Sequence, residues 1–291
     1  MNYTIENEKI QLTINSIGAE LISLQSRTTG QEYMWSGDPT YWGRTSPLLF
    51  PFIGGLQGGT YTYDGIAYKM AKHGFLRDAP FELVKQTQEE LWFVTRSNEE
   101  TLKSYPFAYE LEVGYWLRGE SVDVIWKIHN KGDKMMEYSI GGHPAFKCPL
   151  HENEERTAYS LQFKRKSTLE QTPVTKAGFA AQEPVTITLD QERIPLKDNI
   201  FAEDALIFEN YQVSEISLVD SRNQPYIAMA CDTPVLAVWS LAEKEAQFVC
   251  FEPWYGLCDV EGIHVPLQER KWMNHLQAGE VEVKQYTIHI L

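Results

Sequence analysis

An all-β fold, one large antiparallel β-sandwich with few short helices over residues 1–291, is the expectation for this sequence. Three observations carry it. Polar and apolar residues alternate with period two along most of the chain, the pattern of strands that bury one face. Turn residues separate most of the alternating runs. Neither a βαβ rhythm nor a G-x-G-x-x-G segment occurs, so a doubly wound nucleotide fold is not expected.

The elements follow in chain order. "YTIENEKIQLTIN" reads as a hairpin that turns at Asn7 and Glu8. "AELISLQS", "EELWFVTRS", "YELEVGYWL" and "SVDVIWKIHN" are strands by alternation and by aromatic or β-branched content, with turns at "LRGES", around Gly119, and at "HNKGDK". "AYSLQFK", "TITL", "EISLVD", "YIAMAC", "VLAVWS", "FVCFEP" and "VEVKQYTIHIL" add the remaining strands. Helix is expected in two places: one turn in "NEETLKSYPF" before Pro106, and a short helix in "LQERKWMNHL" that Gly279 ends. The stretch 164–183 reads as loop.

Composition narrows the function. Hydrophobic residues make up 43% of the 291, enough for a large core. A net charge of −14 argues against broad docking to DNA, RNA or an anionic membrane, since each needs clustered Lys and Arg. No apolar run approaches the length of a membrane span. The opening "MNYTIENEKIQL" alternates and lacks the basic-then-apolar order of a secretory leader, so a cytoplasmic setting is expected. Cys148, Cys231, Cys250 and Cys258 form no C-x-x-C, and reduced, structural thiols are expected, although Cys250 and Cys258 are near enough to meet. Nothing in the sequence speaks to oligomeric state.

Four segments hold residues suited to chemistry. In "KHGFLRD", Gly74 allows positive φ or close backbone approach, and His73 beside it can aim a ring nitrogen into a cleft; a loop histidine bonded to backbone is the plainer reading. In "SIGGHPAF", Gly141 and Gly142 interrupt a strand pattern, and Pro144 holds His143 extended at a strand end; a structural bulge is the alternative. In "QFVCFEPWYG", Phe248, Cys250 and Glu252 share one face of a strand, and burial beside them raises the pKa of a carboxyl; an Arg-paired Glu at a strand end is the alternative. In "YWGRTSPLLFPFIGG", Arg44 has no acidic neighbour in sequence and is suited to sugar hydroxyls, to an anion, or to a carboxylate such as Glu252 or Asp204. Asp204, in "FAEDALIF", precedes an apolar strand and is read as either a ligand contact or a cap. Trp239, in "LAVWSLAE", reads first as core filler, though an indole also suits the C–H face of a sugar.

These segments, in this order, resemble the aldose 1-epimerase (galactose mutarotase) family, and most closely its shorter branch related to hexose-6-phosphate 1-epimerases. The likeness runs through an arginine before an apolar-proline run, "KHGF-R", "GGHPAF", "FEPW-G" and a closing strand after "L-x-x-G-E". It covers essentially the whole chain. It implies a supersandwich with the sugar on one concave face, Glu252 as general base and His143 as general acid. It implies that His73 and Arg44 hold hydroxyls near the reacting centre and that Asp204 binds substrate. "HGFLR" resembles the phosphosugar branch, in which the arginine of that motif, here Arg77, contacts phosphate.

The chemistry accounts for these residue types independently. Interconverting the anomers of a cyclic aldose requires ring opening: a base takes the C1 hydroxyl proton and an acid protonates the ring oxygen. One carboxylate and one imidazole suffice, and no cofactor or metal is expected. The competing readings are a hexose-6-phosphate epimerase with Arg77, Lys72 and Arg44 as anion clamp, and a non-catalytic sugar-binding or regulatory protein of the same fold. A glycoside hydrolase would need two carboxylates flanking a bond, for which Glu252 and Asp204 are the only tempting pair. A metal site of His73, His143 and Glu252 lacks close ligand spacing.

Overall fold

The computed structural model describes residues 1–242 and 246–291. The chain opens with a meander of β1 (Asn2–Glu6), β2 (Ile10–Asn15) and β3 (Glu20–Ser26). The short β4 (Leu48–Leu49) and the hairpin β5 (Thr60–Tyr63) and β6 (Ile66–Lys69) follow. Next come β7 (Glu82–Gln86), β8 (Glu90–Arg96), β9 (Tyr109–Arg118) and β10 (Ser121–Asn130), with α1 (Glu99–Ser104) between β8 and β9. Three short strands are β11 (Met136–Tyr138), β12 (Ile140–Gly142) and β13 (Ala145–Lys147). Then come β14 (Ser160–Phe163), β15 (Thr168–Thr172), β16 (Val185–Thr188), β17 (Arg193–Pro195) and β18 (Leu206–Glu209). The last are β19 (Glu215–Val219), β20 (Pro225–Cys231), β21 (Val235–Trp239), β22 (Phe248–Tyr255), β23 (Asn274–Leu276) and β24 (Val281–Ile290).

Two antiparallel sheets dominate. Nine strands run in the order β17-β14-β19-β20-β24-β10-β9-β8-β7, and the second sheet runs β16-β15-β18-β21-β22-β12-β4, with β13 also paired to β22. One core cluster draws on both. Leu161, Phe163, Trp126 and Ile288 of the first sheet meet Phe208, Leu236, Val238 and Phe251 of the second. The opposite faces of β18, β21 and β22 carry Ile207, Ala237 and Trp254, which join Leu49 and Ile53 in a separate apolar cluster. Period-two geometry therefore splits β22 cleanly. Val249 and Phe251 point into the sandwich, while Phe248, Cys250 and Glu252 point to the outer face. Among the described residues no helix is long and apolar enough to cross a membrane.

Several expectations are corrected. "LQERKWMNHL" is not a helix: only Leu267–Glu269 make a 3-10 turn, and Asn274–Leu276 pair as a strand with Met136–Tyr138. Trp272 takes φ 60°, which stops helical propagation, and its indole N–H donates to Glu209 instead. The stretch 164–183 is not all loop, because β15 lies within it, paired to β16 and β18. The hairpin β5–β6 was not expected, although Asp64 and Gly65 at its tip, with φ 48° and 75°, are the residue pair such a turn favours. The turn of helix before Pro106 is α1, whose Asn98 side chain accepts from the backbone N–H of Glu100 and Thr101. All four cysteines are buried and free.

Candidate active site

The site is built around an interruption in one strand's neighbour. β12 pairs with β22 at Tyr255 and Trp254, and β13 pairs with it at Cys250, Val249 and Phe248. Between them, His143 breaks the pairing, although the Pro144 carbonyl still accepts from the Phe251 N–H. Gly141 and Gly142 make this course possible: a Cβ on Gly141 would lie 2.7 Å from Trp254, and one on Gly142 3.0 Å from the Tyr286 hydroxyl. Pro253 stands at the same gap, where a missing N–H is tolerated. As a result β22 runs on through Pro253, and Glu252 lies within the strand rather than at its end, directly across from Ala237.

This geometry sets Nε2 of His143 3.2 Å from Oε2 of Glu252. Both side chains are nearly sealed from water, with 9% and 2% of their surface exposed. Yet Nδ1 of His143 and Oε2 of Glu252 have no hydrogen-bond partner among the described residues. Burial, then the charge of Asp204, pushes the Glu252 carboxyl well above its usual range, with Lys72 opposing. Burial draws His143 down to about 3, and Lys72, Arg77 and Arg44 act in the same direction. Trp42 stacks on the His143 ring at 4.8 Å between centroids, and Trp239 meets its edge at 5.6 Å.

His73 stands beside the pair, its ring 5.9 Å from that of His143 and nearly perpendicular to it. Its own φ is 68° and that of Gly74 is 73°. Gly74 packs so tightly on the chain that a Cβ there would lie 2.0 Å from the Phe50 carbonyl oxygen. Close backbone approach is thus the reason for that glycine. The Gly54 N–H donates to Nδ1 of His73, which leaves the hydrogen on Nε2, free to donate. Burial, then His143 and the nearby cations, lowers its pKa well below the usual imidazole range.

A cleft of about 370 Å³ opens over these groups. Glu252, His143, His73, Arg77, Asp204 and Trp239 all line it. Trp239 is therefore no core filler: it shares the outer face with Ala237, opposite Leu236 and Val238. Asp204 lies in the turn before β18 with φ 77° and faces the cleft. Arg44 does not line it and pairs with neither Glu252 nor Asp204. Its guanidinium is held by Asp78, at 3.0 and 3.3 Å. Nε of Arg77 sits 3.8 Å from the same carboxylate, buried and without a hydrogen-bond partner among the described residues. Sequence reasoning passed over Trp42, which lies in an irregular segment where no periodicity assigns it a face.

For a metal, His143, Cys250 and Glu252 offer donor atoms within 4.8 Å of one another, rather than the set with His73. Burial and the charge of Glu252 hold the Cys250 thiol well above its usual range, and so protonated. Lys72, Arg77 and Arg44 make the surroundings positive, which opposes a further cation.

With this arrangement in view, comparison with known proteins decides the family. The family model for aldose 1-epimerase matches residues 1–266. The chain belongs to the aldose 1-epimerase family. Family membership implies a sugar as the substrate. The chain is similar to the chromosomal and plasmid LacX proteins of Lactococcus lactis subsp. lactis, each 30% identical over 308 aligned positions that cover all of both chains. The structure of a galactose mutarotase related enzyme from Lactobacillus acidophilus superposes with a TM-score of 0.94 at 33% identity, covering 100% of this chain and 97% of the other. A galactose mutarotase-like protein from Lactobacillus casei gives 0.92 at 29% identity, covering both chains fully. The fold is thus the galactose mutarotase-like supersandwich, with the cleft on the outer face of its second sheet.

Proposed function

We propose that this chain is an aldose 1-epimerase that interconverts the α and β anomers of a hexose, with Glu252 as base and His143 as acid. The observation that carries this reading is the sealed contact of the two side chains, each with an unpartnered polar atom, in the cleft. Burial favours the protonated carboxyl and the neutral imidazole, so the resting pair holds one proton. Moving that proton across the 3.2 Å gap gives carboxylate and imidazolium without changing the proton count.

The carboxylate then takes the proton of the C1 hydroxyl while the imidazolium protonates the ring oxygen. The bond from C1 to the ring oxygen breaks, its electron pair goes to that oxygen, and an open aldehyde forms. Rotation about C1–C2 presents the other face, and the transfers run in reverse. The reaction consumes no cofactor. Each positioned transfer contributes about 10²–10⁴ in rate. Nε2 of His73 donates to a substrate hydroxyl, Asp204 accepts from another, and Trp42 and Trp239 cover the C–H face of the ring.

One observation favours a second reading, a hexose phosphate as substrate. Arg44 and Arg77 share the single carboxylate of Asp78, and Lys72 stands in the same cleft, which leaves excess positive charge beside it. Anomer exchange measured by NMR on glucose, galactose and glucose 6-phosphate tests both. The epimerase reading expects exchange well above the buffer rate for at least one of them. Sugar binding with no acceleration for any would instead identify a binding protein. Arg77→Ala selectively slowing the phosphorylated sugar would establish the second reading.

A further inference from the structure

Strand β22 carries a second sealed polar group beside Glu252. Period two places Trp254 on the same outer face as Glu252, and both line the cleft. The indole is 4% exposed and clusters with Leu49, Ile53 and Ala237. Ala237 is also the residue directly across from Glu252, so the two side chains share one neighbourhood. Gly141, which pairs with Trp254 across the ladder, makes room for the ring. A Cβ there would lie 2.7 Å from Cδ1, the carbon bonded to the indole nitrogen. The interruption between β12 and β13 therefore admits two groups at once, the imidazole of His143 and the nitrogen edge of Trp254.

Nε1 of Trp254 is buried and has no hydrogen-bond partner among the described residues, and the same is true of Oε2 of Glu252. Trp35 and Trp272, by contrast, donate to the Trp42 carbonyl and to Glu209. An indole N–H can only donate and a carboxylate can only accept, so the two orphans are complementary. Groups left unpaired in this way are uncommon and call for a partner. Burial and Asp204 raise the Glu252 carboxyl; Lys72, and then the Trp254 N–H, act against them by favouring the ionised form. A charge-assisted hydrogen bond is roughly twice as strong as a neutral one, so the N–H gains most when the proton of the pair has crossed to His143.

We infer that Trp254 is a positioning residue for the reaction: its indole N–H donates to the carboxyl of Glu252 and holds that group, in its ionised form, for the proton of the C1 hydroxyl. This rests on the epimerase reading above. Nε1 is sealed from the cleft, so the indole acts through Glu252 and not on the sugar. The bond reaches full strength only after the carboxyl has lost its proton, so it lowers the barrier more than it tightens substrate binding.

The test replaces Trp254 with 3-benzothienylalanine, which keeps the shape of the ring and puts sulfur where the N–H was. In NMR anomer exchange kcat should fall by at least about tenfold, the loss of one hydrogen bond to a charged group, with KM within about twofold. Trp254→Phe, which also loses ring area, should lose at least as much kcat. Unchanged kcat for the isostere, or a rise in KM with kcat preserved, overturns the proposal. A second readout is independent of turnover. In protein labelled with 15N-tryptophan, the Trp254 indole proton, identified by its absence from Trp254→Phe, should resonate downfield of its position in Glu252→Leu, a variant that offers no acceptor. Equal shifts in the two proteins overturn the bond. If the wild type exchanges no sugar, the epimerase reading falls, and this comparison alone decides whether Trp254 is bonded to Glu252.

Discussion

Strands β10 and β22 each bury one carboxylate, and the two are treated in opposite ways. Asp123 in β10 receives Nε and Nη2 of Arg118 at 2.5 and 2.7 Å, and the Thr287 hydroxyl at 2.7 Å. Among the described residues, Glu252 in β22 has the 3.2 Å approach of His143 and an oxygen without a hydrogen bond. β10 alternates buried and half-exposed positions along much of its length, whereas all eight residues of β22 are buried. A satisfied carboxylate near the start of an inner strand serves the fold. An unsatisfied one inside a doubly covered strand costs stability and persists where it has other work.

Substitutions sharpen this contrast, and the largest effect belongs to Glu252→Gln. Anomer exchange should drop by at least about a hundredfold, the loss of one general base, while sugar affinity stays within a few fold. Wild-type speed in this variant would collapse the distinction between the two carboxylates. His143→Asn should slow exchange by a similar factor, read in the same NMR anomer-exchange assay.

Asp123→Ala should do the reverse. Denaturant titration should show a loss of about 1–3 kcal/mol, with the rate of the folded enzyme unchanged. A rate defect matching that of Glu252→Gln would mean that β10 reaches the site by some other route.

The pH dependence is a subtler separation. The Glu252–His143 pair keeps its single proton from about pH 3, where His143 gains a second, up to the raised value of Glu252, where the last is lost. Acidification through 6.5, the ordinary imidazole value, should therefore cause no loss of rate, because His143 gains no proton there. A fall in kcat/KM centred there would show that His143 titrates like an exposed ring.

The smallest effect is in stability. A carboxyl raised on folding penalises the native state as pH climbs past its unfolded value of 4.5, so Glu252→Gln should melt higher than wild type near pH 8 and match it near pH 4. Equal differences at both pH values would deny the desolvation of Glu252.

How much of this could be read from residues alone follows from how local each cause is. The outer-face placement of Phe248, Cys250 and Glu252 follows from period two, and the close packing at Gly74, Gly141 and Gly142 from the absence of side chains there. The continuation of β22 past Pro253 was not legible, because it depends on a gap in a strand more than a hundred residues earlier. Arg44 looked unpaired because Asp78 arrives only through the fold. Trp42 carried no periodic signal, and its stacking partner His143 is supplied by tertiary structure. Strand β15 hid because Glu170 and Gln171 give it little apolar character, and its pairing comes from β16 and β18.

The stacking of Trp42 on His143 gives the protein a built-in optical gauge. Indole emission responds to the charge and distance of an adjacent imidazole, and here the imidazole belongs to the Glu252–His143 pair while Trp239 touches its edge. A ligand entering the cleft must alter the surroundings of both indoles, so occupancy can be followed by intrinsic fluorescence, with no dye or coupled reagent.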